Sequence, residues 1–267
     1  MCLLPPHGRL FDSEPMGKTI VVAGGTDGMG RGIAEARAAA GDSVIAVGSS
    51  TRKGLSEDIE FIRADLSLIA EVDRVVAALP DRVDVLVLTA ARFNPRRIVT
   101  ADGLEATFAL YYLSRYLLAH GVDAGLVVAF SAPGTTVGRV RWEDPQLERG
   151  YSAVKAQMQA GRMNDLLGVS VGAEKAYVLF HPGFTETNAI SQYRQPMRAV
   201  IRTVEKLFAQ PVAKAIGPLL PLIEEPPPVG FHPNDRGRPV DLSLRTFDPG
   251  DAARLDELTR EIVRGRR

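Results

Sequence analysis

The stretch Lys18-Thr19-Ile20-Val21-Val22-Ala23-Gly24-Gly25-Thr26-Asp27-Gly28-Met29-Gly30 decides the fold. Lys18–Ala23 is a short apolar, β-branched run that stops at glycines, which reads as a buried strand. Gly30–Ala40 is alanine-rich and closed by Gly41, so it reads as a helix. Glycines between a strand and a helix let the backbone turn tightly and approach a pyrophosphate. The helix N-terminus adds N–H groups and the positive end of its dipole. A glycine motif alone is a weak signal, but this one stands where a dinucleotide site requires it.

Outward from that stretch, strands and helices alternate. Ser43–Val47, Ile59–Ala64, Val83–Leu88, Gly125–Phe130 and Ala176–Phe180 read as strands, and a short edge strand is expected near Val229–Phe231. Leu68–Leu79, Thr100–His120, Glu148–Leu167 and Asp248–Arg264 read as helices. Near-continuous apolar strands between helices imply a parallel sheet covered on both faces. The expectation is one doubly wound α/β domain over residues 16–267, with about seven strands. Residues 1–15 read as a flexible extension, with Met16 as an alternative start. About ten residues, Ser49–Asp58, separate the second and third strands, too few for a crossover helix. Residues 189–225 mix apolar and cationic side chains and read as a substrate lid.

Composition bounds the chemistry. The chain has 267 residues, 45% hydrophobic and 24% charged, with Lys+Arg 32 balanced by Asp+Glu 32. That balance leaves no whole-chain signature of nucleic-acid or anionic-membrane binding. Cys2 is the one cysteine, so no internal disulfide and no cysteine metal site can form. The four histidines are scattered, and no metal is assigned. No apolar run is long enough to span a bilayer. A reducing cytoplasm is the expected compartment, and the arginine-rich composition suggests a GC-rich bacterial genome.

The spacing Gly24-x-x-x-Gly28-x-Gly30 resembles the short-chain dehydrogenase/reductase family, and four further pieces match in order. Asp65-Leu66 resembles the family's adenine-contacting acid. Leu88-Thr89-Ala90-Ala91 stands where the family has Asn-Asn-Ala-Gly. Ser131 ends the fifth strand, and Tyr151-Ser152-Ala153-Val154-Lys155 is a Tyr-x-x-x-Lys. Pro182-Gly183-Phe184-Thr185 resembles the family's cofactor loop, with Thr185 or Thr187 as its hydroxyl. Asp102–Leu118 and the closing helix loosely resemble the retinol-dehydrogenase-like branch. The resemblance implies a Rossmann-type fold and a cofactor site over Gly24, Thr26, Asp27, Gly28, Met29, Gly30, Asp65, Leu66, Ala90, Ala91, Pro182, Gly183, Thr185 and Thr187.

Tyr151 and Lys155 are i, i+4 on the helix expected over Glu148–Leu167, so they share a face. An ammonium beside a phenol favours the phenolate, so Tyr151 could relay a proton to a substrate oxygen. Ser131 would hydrogen-bond the same oxygen, and the resemblance implies that Lys155 also holds the nicotinamide ribose. The expected catalytic set is therefore Ser131, Tyr151 and Lys155. Two departures stand out: Leu88-Thr89 replaces the paired Asn, and Tyr111 stands where the family often has an Asn on the long helix. Tyr111 is expected to shape the pocket or contact the substrate. Phe93, Trp142 and Tyr193, with Arg92, lie on loops at the carboxyl side of strands and are further substrate candidates.

After the second strand comes Gly48-Ser49-Ser50-Thr51-Arg52-Lys53, with no acid to accept a ribose 2′-OH. Hydroxyls and two cations there suit a 2′-phosphate, so Ser49, Ser50, Arg52 and Lys53 point to NADP(H) over NAD(H). The function expected is an NADP-dependent carbonyl reductase or alcohol dehydrogenase acting on a medium-sized ketone or alcohol, such as a bacterial natural-product intermediate. The rivals are an epimerase or dehydratase on the same fold and a non-catalytic NADP-binding sensor. The partners expected are a small-molecule substrate and, in a homodimer or homotetramer, further copies of the chain.

Overall fold

The computed structural model describes residues 17–52, 54–183 and 211–266. β1 (Thr19–Ala23) pairs in parallel with β2 (Ser43–Gly48) on one side and β4 (Val83–Leu88) on the other. β3 (Ile59–Arg63), β5 (Ala124–Phe130), β6 (Ala176–His181), β7 (Gly230–Asp235) and β8 (Arg238–Pro239) complete the sheet. The order is β3-β2-β1-β4-β5-β6-β7-β8, and only the β7–β8 pairing is antiparallel. The eighth strand exceeds the seven expected. It forms because Arg236 and Gly237 both adopt positive φ, 53° and 86°, which closes a two-residue hairpin turn.

Alternate residues of each strand face opposite layers. Val21, Val47 and Leu86 pack with Val72, Leu118 and Met163 from α2 (Ile69–Ala78), α4 (Ser114–Gly121) and α5 (Ala153–Gly172). Ile20, Val22 and Val85 pack with Ile33 of α1 (Gly28–Ala39), Ile216 of α6 (Val212–Ile216) and Ile223 of α7 (Leu220–Glu224). α8 (Pro249–Arg264) closes the chain against the first layer through Leu255 and Val263. Among the described residues, no helix is long and apolar enough to cross a membrane.

Two helices differ from expectation where it matters for the site. Thr100–Glu105 is not helical: Gly103 takes φ +75° and Val99 bridges Glu105. Helix α3 (Ala106–Phe108) starts only where the Glu105 carboxylate accepts from the N–H groups of Thr107 and Phe108. It runs through a π-helical turn, Ala109–Leu113, into α4. The second helix begins at Ala153, not near Glu148, and continues to Gly172. Leu147 and Gly150 have positive φ, 47° and 63°, and the Asp144 carboxylate holds the N–H groups of Glu148 and Arg149, so that segment is a loop. Of the expected lid, 211–225 sends Ile216, Leu219 and Ile223 into the core, and 189–210 lies outside the described residues, as does the extension 1–15.

Candidate active site

The strand order reverses between β1 and β4, so a crevice opens at their carboxyl ends. Gly24 sits there at φ +91°, and a Cβ on it would fall 2.6 Å from the Ala90 nitrogen. A Cβ on Gly30 would lie 2.2 Å from the Gly24 oxygen. Thr89 and Ala90 donate their N–H groups to the Ala23 oxygen at 2.8 and 3.0 Å, which locks the β4 end against the glycine turn. α1 begins at Gly28 with Asp27 as its cap, so its positive end faces the crevice. A bare turn under a helix N-terminus fits the pyrophosphate of a dinucleotide, with Gly24, Thr26, Gly28, Met29 and Gly30 at its wall.

The adenosine side follows. Thr26 Oγ1 accepts from Ser50 Oγ at 2.9 Å, tying the β2 end to the turn. Ser49, Ser50 and Arg52 are exposed, and no carboxylate follows Gly48 before Glu57. Arg52 donates to the carbonyls of Ser56 and Glu57 at 3.0 and 2.7 Å. Arg31, on α1, donates to the Gly54 carbonyl and so adds a cation that the motif reading had passed over. Lys53 lies outside the described residues. The Asp65 carboxylate accepts from Ser67 N and Oγ at 3.0 and 2.7 Å, while Leu66 is buried. Pro182 and Gly183 follow β6, the latter at φ +84°. Thr185, Thr187 and Tyr193 lie outside the described residues.

The expected catalytic trio does not converge. Tyr151 precedes α5, whose first residue is Ala153, so Tyr151 and Lys155 do not share a helix face. Tyr151 Oη donates to the Asn94 carbonyl at 2.8 Å. Burial, then Glu105, push its phenol above the usual tyrosine range, with Thr107 and Arg97 acting the other way. Lys155 Nζ donates to the Gly150 carbonyl at 3.1 Å and is exposed. Ser131 lies further along α5: a Cβ on Gly161 would sit 3.8 Å from its Oγ. About 12 Å of helix separates Ala153 from Gly161. The i, i+4 pair that α5 turns towards this end of the sheet is Gln157, which donates to the Arg92 carbonyl at 3.0 Å, and Gly161.

What meets Ser131 is Tyr111, whose Oη donates to Ser131 Oγ at 3.1 Å. Arg115 lies against the Tyr111 ring, its Cζ 4.5 Å from the centroid. Arg115 donates to the Phe130 carbonyl at 2.8 Å and to Asn164 Oδ1 at 3.1 Å, and reaches the Ala90 carbonyl at 3.5 Å. Asn164 in turn donates to the Tyr111 carbonyl at 2.8 Å. Next along α5, Asp165 is buried under Thr246, and burial pushes its carboxyl up to about 7.

Sequence comparison bears on this arrangement. The family model for short chain dehydrogenase matches residues 18–132. DnrU of Streptomyces sp. (strain C5), provisionally named a daunorubicin C-13 ketoreductase, is 28% identical over 97% of this chain and 96% of its own length. The residues matched by the family model run from β1 to Ser131, so this part of the chain is similar to the short chain dehydrogenases. An uncharacterized oxidoreductase of Saccharomyces cerevisiae is 37% identical over 115 residues, and this chain spans 37% of that protein's length. The fold of an uncharacterized protein from Mycobacterium paratuberculosis superposes with a TM-score of 0.69, at 24% identity, over 92% of this chain and 93% of that one.

The other substrate candidates are distributed unevenly. Trp142 packs under Arg254 of α8, with Cζ 4.3 Å above the ring, so it braces the closing helix. Phe93 stays half-buried on the loop after β4, beside the exposed Arg92. Arg115, Asn164 and Gln157 were missed by motif reading. One signal was present: a lone cation, Arg115, stands beside Ser114 inside the mainly apolar run Leu113–Leu118.

Proposed function

We propose that this protein is an NADPH-dependent carbonyl reductase for a medium-sized ketone, run in reverse as an alcohol dehydrogenase. The observation that carries the cofactor choice is the β2 end, which offers Ser49 and Ser50 with Arg31 and Arg52 at the loop that follows, and no acid. A 2′-phosphate would meet hydroxyls and cations there, whereas a bare ribose would find no carboxylate partner. Gly24, Thr26, Gly28, Met29 and Gly30 would hold the pyrophosphate. NADPH, when bound, supplies hydride to a carbonyl carbon. The ketoreductase name of DnrU supports a ketone as substrate.

Fluorescence titration should find NADPH bound at least about tenfold more tightly than NADH, because each charge-assisted phosphate contact is worth about 1.5–3 kcal/mol. Arg31→Ala with Arg52→Ala should remove that margin and leave NADH binding nearly unchanged. Loss of NADPH absorbance over a panel of ketones tests the reaction. Equal wild-type affinities would overturn the cofactor choice, and no turnover with any ketone would overturn the reaction.

A further inference from the structure

Arg115 is 1% exposed, the most enclosed cation among the described residues. Taking a guanidinium out of water is unfavourable by several kcal/mol unless a partner charge answers it. Among the described residues no carboxylate accepts from it: two carbonyl oxygens and the Asn164 amide oxygen do, and Nε has no partner. Its remaining face lies on the Tyr111 ring. Such a cation stabilises a negative charge that arises beside it, and the group beside it that can become negative while reaching the crevice is the Tyr111 phenol. Tyr177 is also near, but it is fully buried.

The backbone is arranged around the same residue. Tyr111 is the middle residue of the π-helical turn Ala109–Leu113, a distortion that recurs at functional sites. Asn164 accepts from Arg115 and donates to the Tyr111 carbonyl, so one buried amide fixes both. Gln157 and Gly161 of α5 offer no acid. A longer side chain at 161 would meet Ser131 and the Tyr111 hydroxyl bound to it.

We propose that Tyr111 Oη is the proton donor to the substrate oxygen, with Ser131 Oγ holding that oxygen and Arg115 as the positioning cation behind the phenol. This rests on the carbonyl-reductase reading above. In the reductive direction the Tyr111 O–H bond breaks and its proton forms the new O–H bond of the alcohol. The bonding pair stays on Oη as phenolate, facing the Arg115 guanidinium and the Ser131 hydroxyl, and a proton from water then restores the phenol. The two electrons that reduce the carbonyl carbon come with the hydride of NADPH, which leaves as NADP⁺.

Tyr111→Phe should cut kcat at least about 100-fold, with NADPH affinity and melting temperature little changed. Ser131→Ala should lower kcat too, and the double variant should be no worse than the poorer single one, because the two act as a unit. Arg115→Ala should lose turnover that added guanidinium salt partly restores, which loss of packing alone would not allow. One readout needs no turnover: the ¹³Cζ resonance of Tyr111, assigned by its absence in Tyr111→Phe, should move in Arg115→Gln. An active wild type with near-normal turnover in Tyr111→Phe overturns the donor and leaves the reductase reading standing. An unmoved resonance overturns the role of Arg115. A wild type that binds NADPH but reduces no ketone overturns the reductase reading, and the donor with it.

Discussion

A methyl group on Gly30 would land 2.2 Å from a backbone oxygen, whereas one on Gly161 would find its nearest neighbour, Ser131 Oγ, at 3.8 Å. The two glycines face one crevice from opposite sides, and the difference describes the two halves of the site. On the amino-terminal side, backbone meets backbone: the Gly24–Gly30 turn, Ala23 and Ala90 are joined by main-chain contacts that no side chain can substitute. On the other side, α5 meets α3, α4 and Ser131 through side chains, which can be exchanged while the helices stay in place. A dinucleotide needs the first kind of surface, because only a bare turn admits its pyrophosphate. Proton delivery needs only a suitable group at the right point, and Tyr111 reaches Ser131 from a helix other than α5.

The largest effect expected tests that contrast directly. Gly30→Val should abolish NADPH binding or prevent folding, since the neighbour in the way is backbone and cannot give. Gly161→Ala should fold and bind NADPH, and replacing a helix-interior glycine should raise stability by up to about 1 kcal/mol. Fluorescence titration and thermal melts on the pair check both. A Gly30→Val protein that binds NADPH normally would remove the distinction between the halves.

A smaller effect concerns the side-chain half alone. Asp165 is buried, accepts from Thr246, stands 4.0 Å from Arg162, and has one oxygen without a partner. Burial pushes its carboxyl up to about 7, while in the unfolded chain it ionises near the ordinary aspartate value, about 4. Below about pH 4 both states hold the proton. Between about 4 and about 7 the unfolded chain binds fewer protons than the native one, so stability falls as pH rises, by up to about 1.4 kcal/mol per pH unit. Above about 7 the loss is complete and the contribution is flat. Asp165→Asn should remove this slope, and denaturant melts across that pH range measure it. An unchanged slope would mean that another group carries it.

These two halves were also unequally legible. The strands Thr19–Ala23, Ser43–Gly48 and Val83–Leu88 could be read because apolar runs bounded by glycine and polar residues have few alternatives. The glycine turn could be read because its spacing and its backbone geometry are the same fact. Tyr151-x-x-x-Lys155 was legible as a spacing, yet the spacing means a shared face only if both residues are helical. Gly150 and Leu147 in left-handed conformations delay the helix to Ala153, which a propensity reading of Glu148–Leu167 does not reveal. The Tyr111–Arg115–Asn164 cluster joins two helices across 49 residues of sequence between Arg115 and Asn164, and no local pattern reports it.

The smallest effect expected is the most direct test of where the chemistry sits. The Tyr-x-x-x-Lys pattern, read as a helical pair beside Ser131, makes Tyr151 the acid, and Tyr151→Phe would then lose at least about 100-fold in turnover. The geometry gives Tyr151 a different task. Its hydroxyl donates to the Asn94 carbonyl, and Asn94 Nδ2 in turn approaches Thr107 Oγ1 at 3.5 Å, so Tyr151 ties the approach to α5 to the loop after β4, which Asn94 joins to the start of α3. Burial and Glu105 both oppose its ionisation, and Lys155 is turned to Gly150. Removing that hydroxyl costs one partly exposed hydrogen bond, about 0.5–1.5 kcal/mol, or about 1–6 °C in melting temperature for a chain of this size. Turnover should stay close to wild type. A small melting shift with retained activity would place Tyr151 on the structural side of the comparison; a collapse in kcat at an unchanged melting temperature would return the acid to Tyr151 and mean that α5 rearranges when ligands bind.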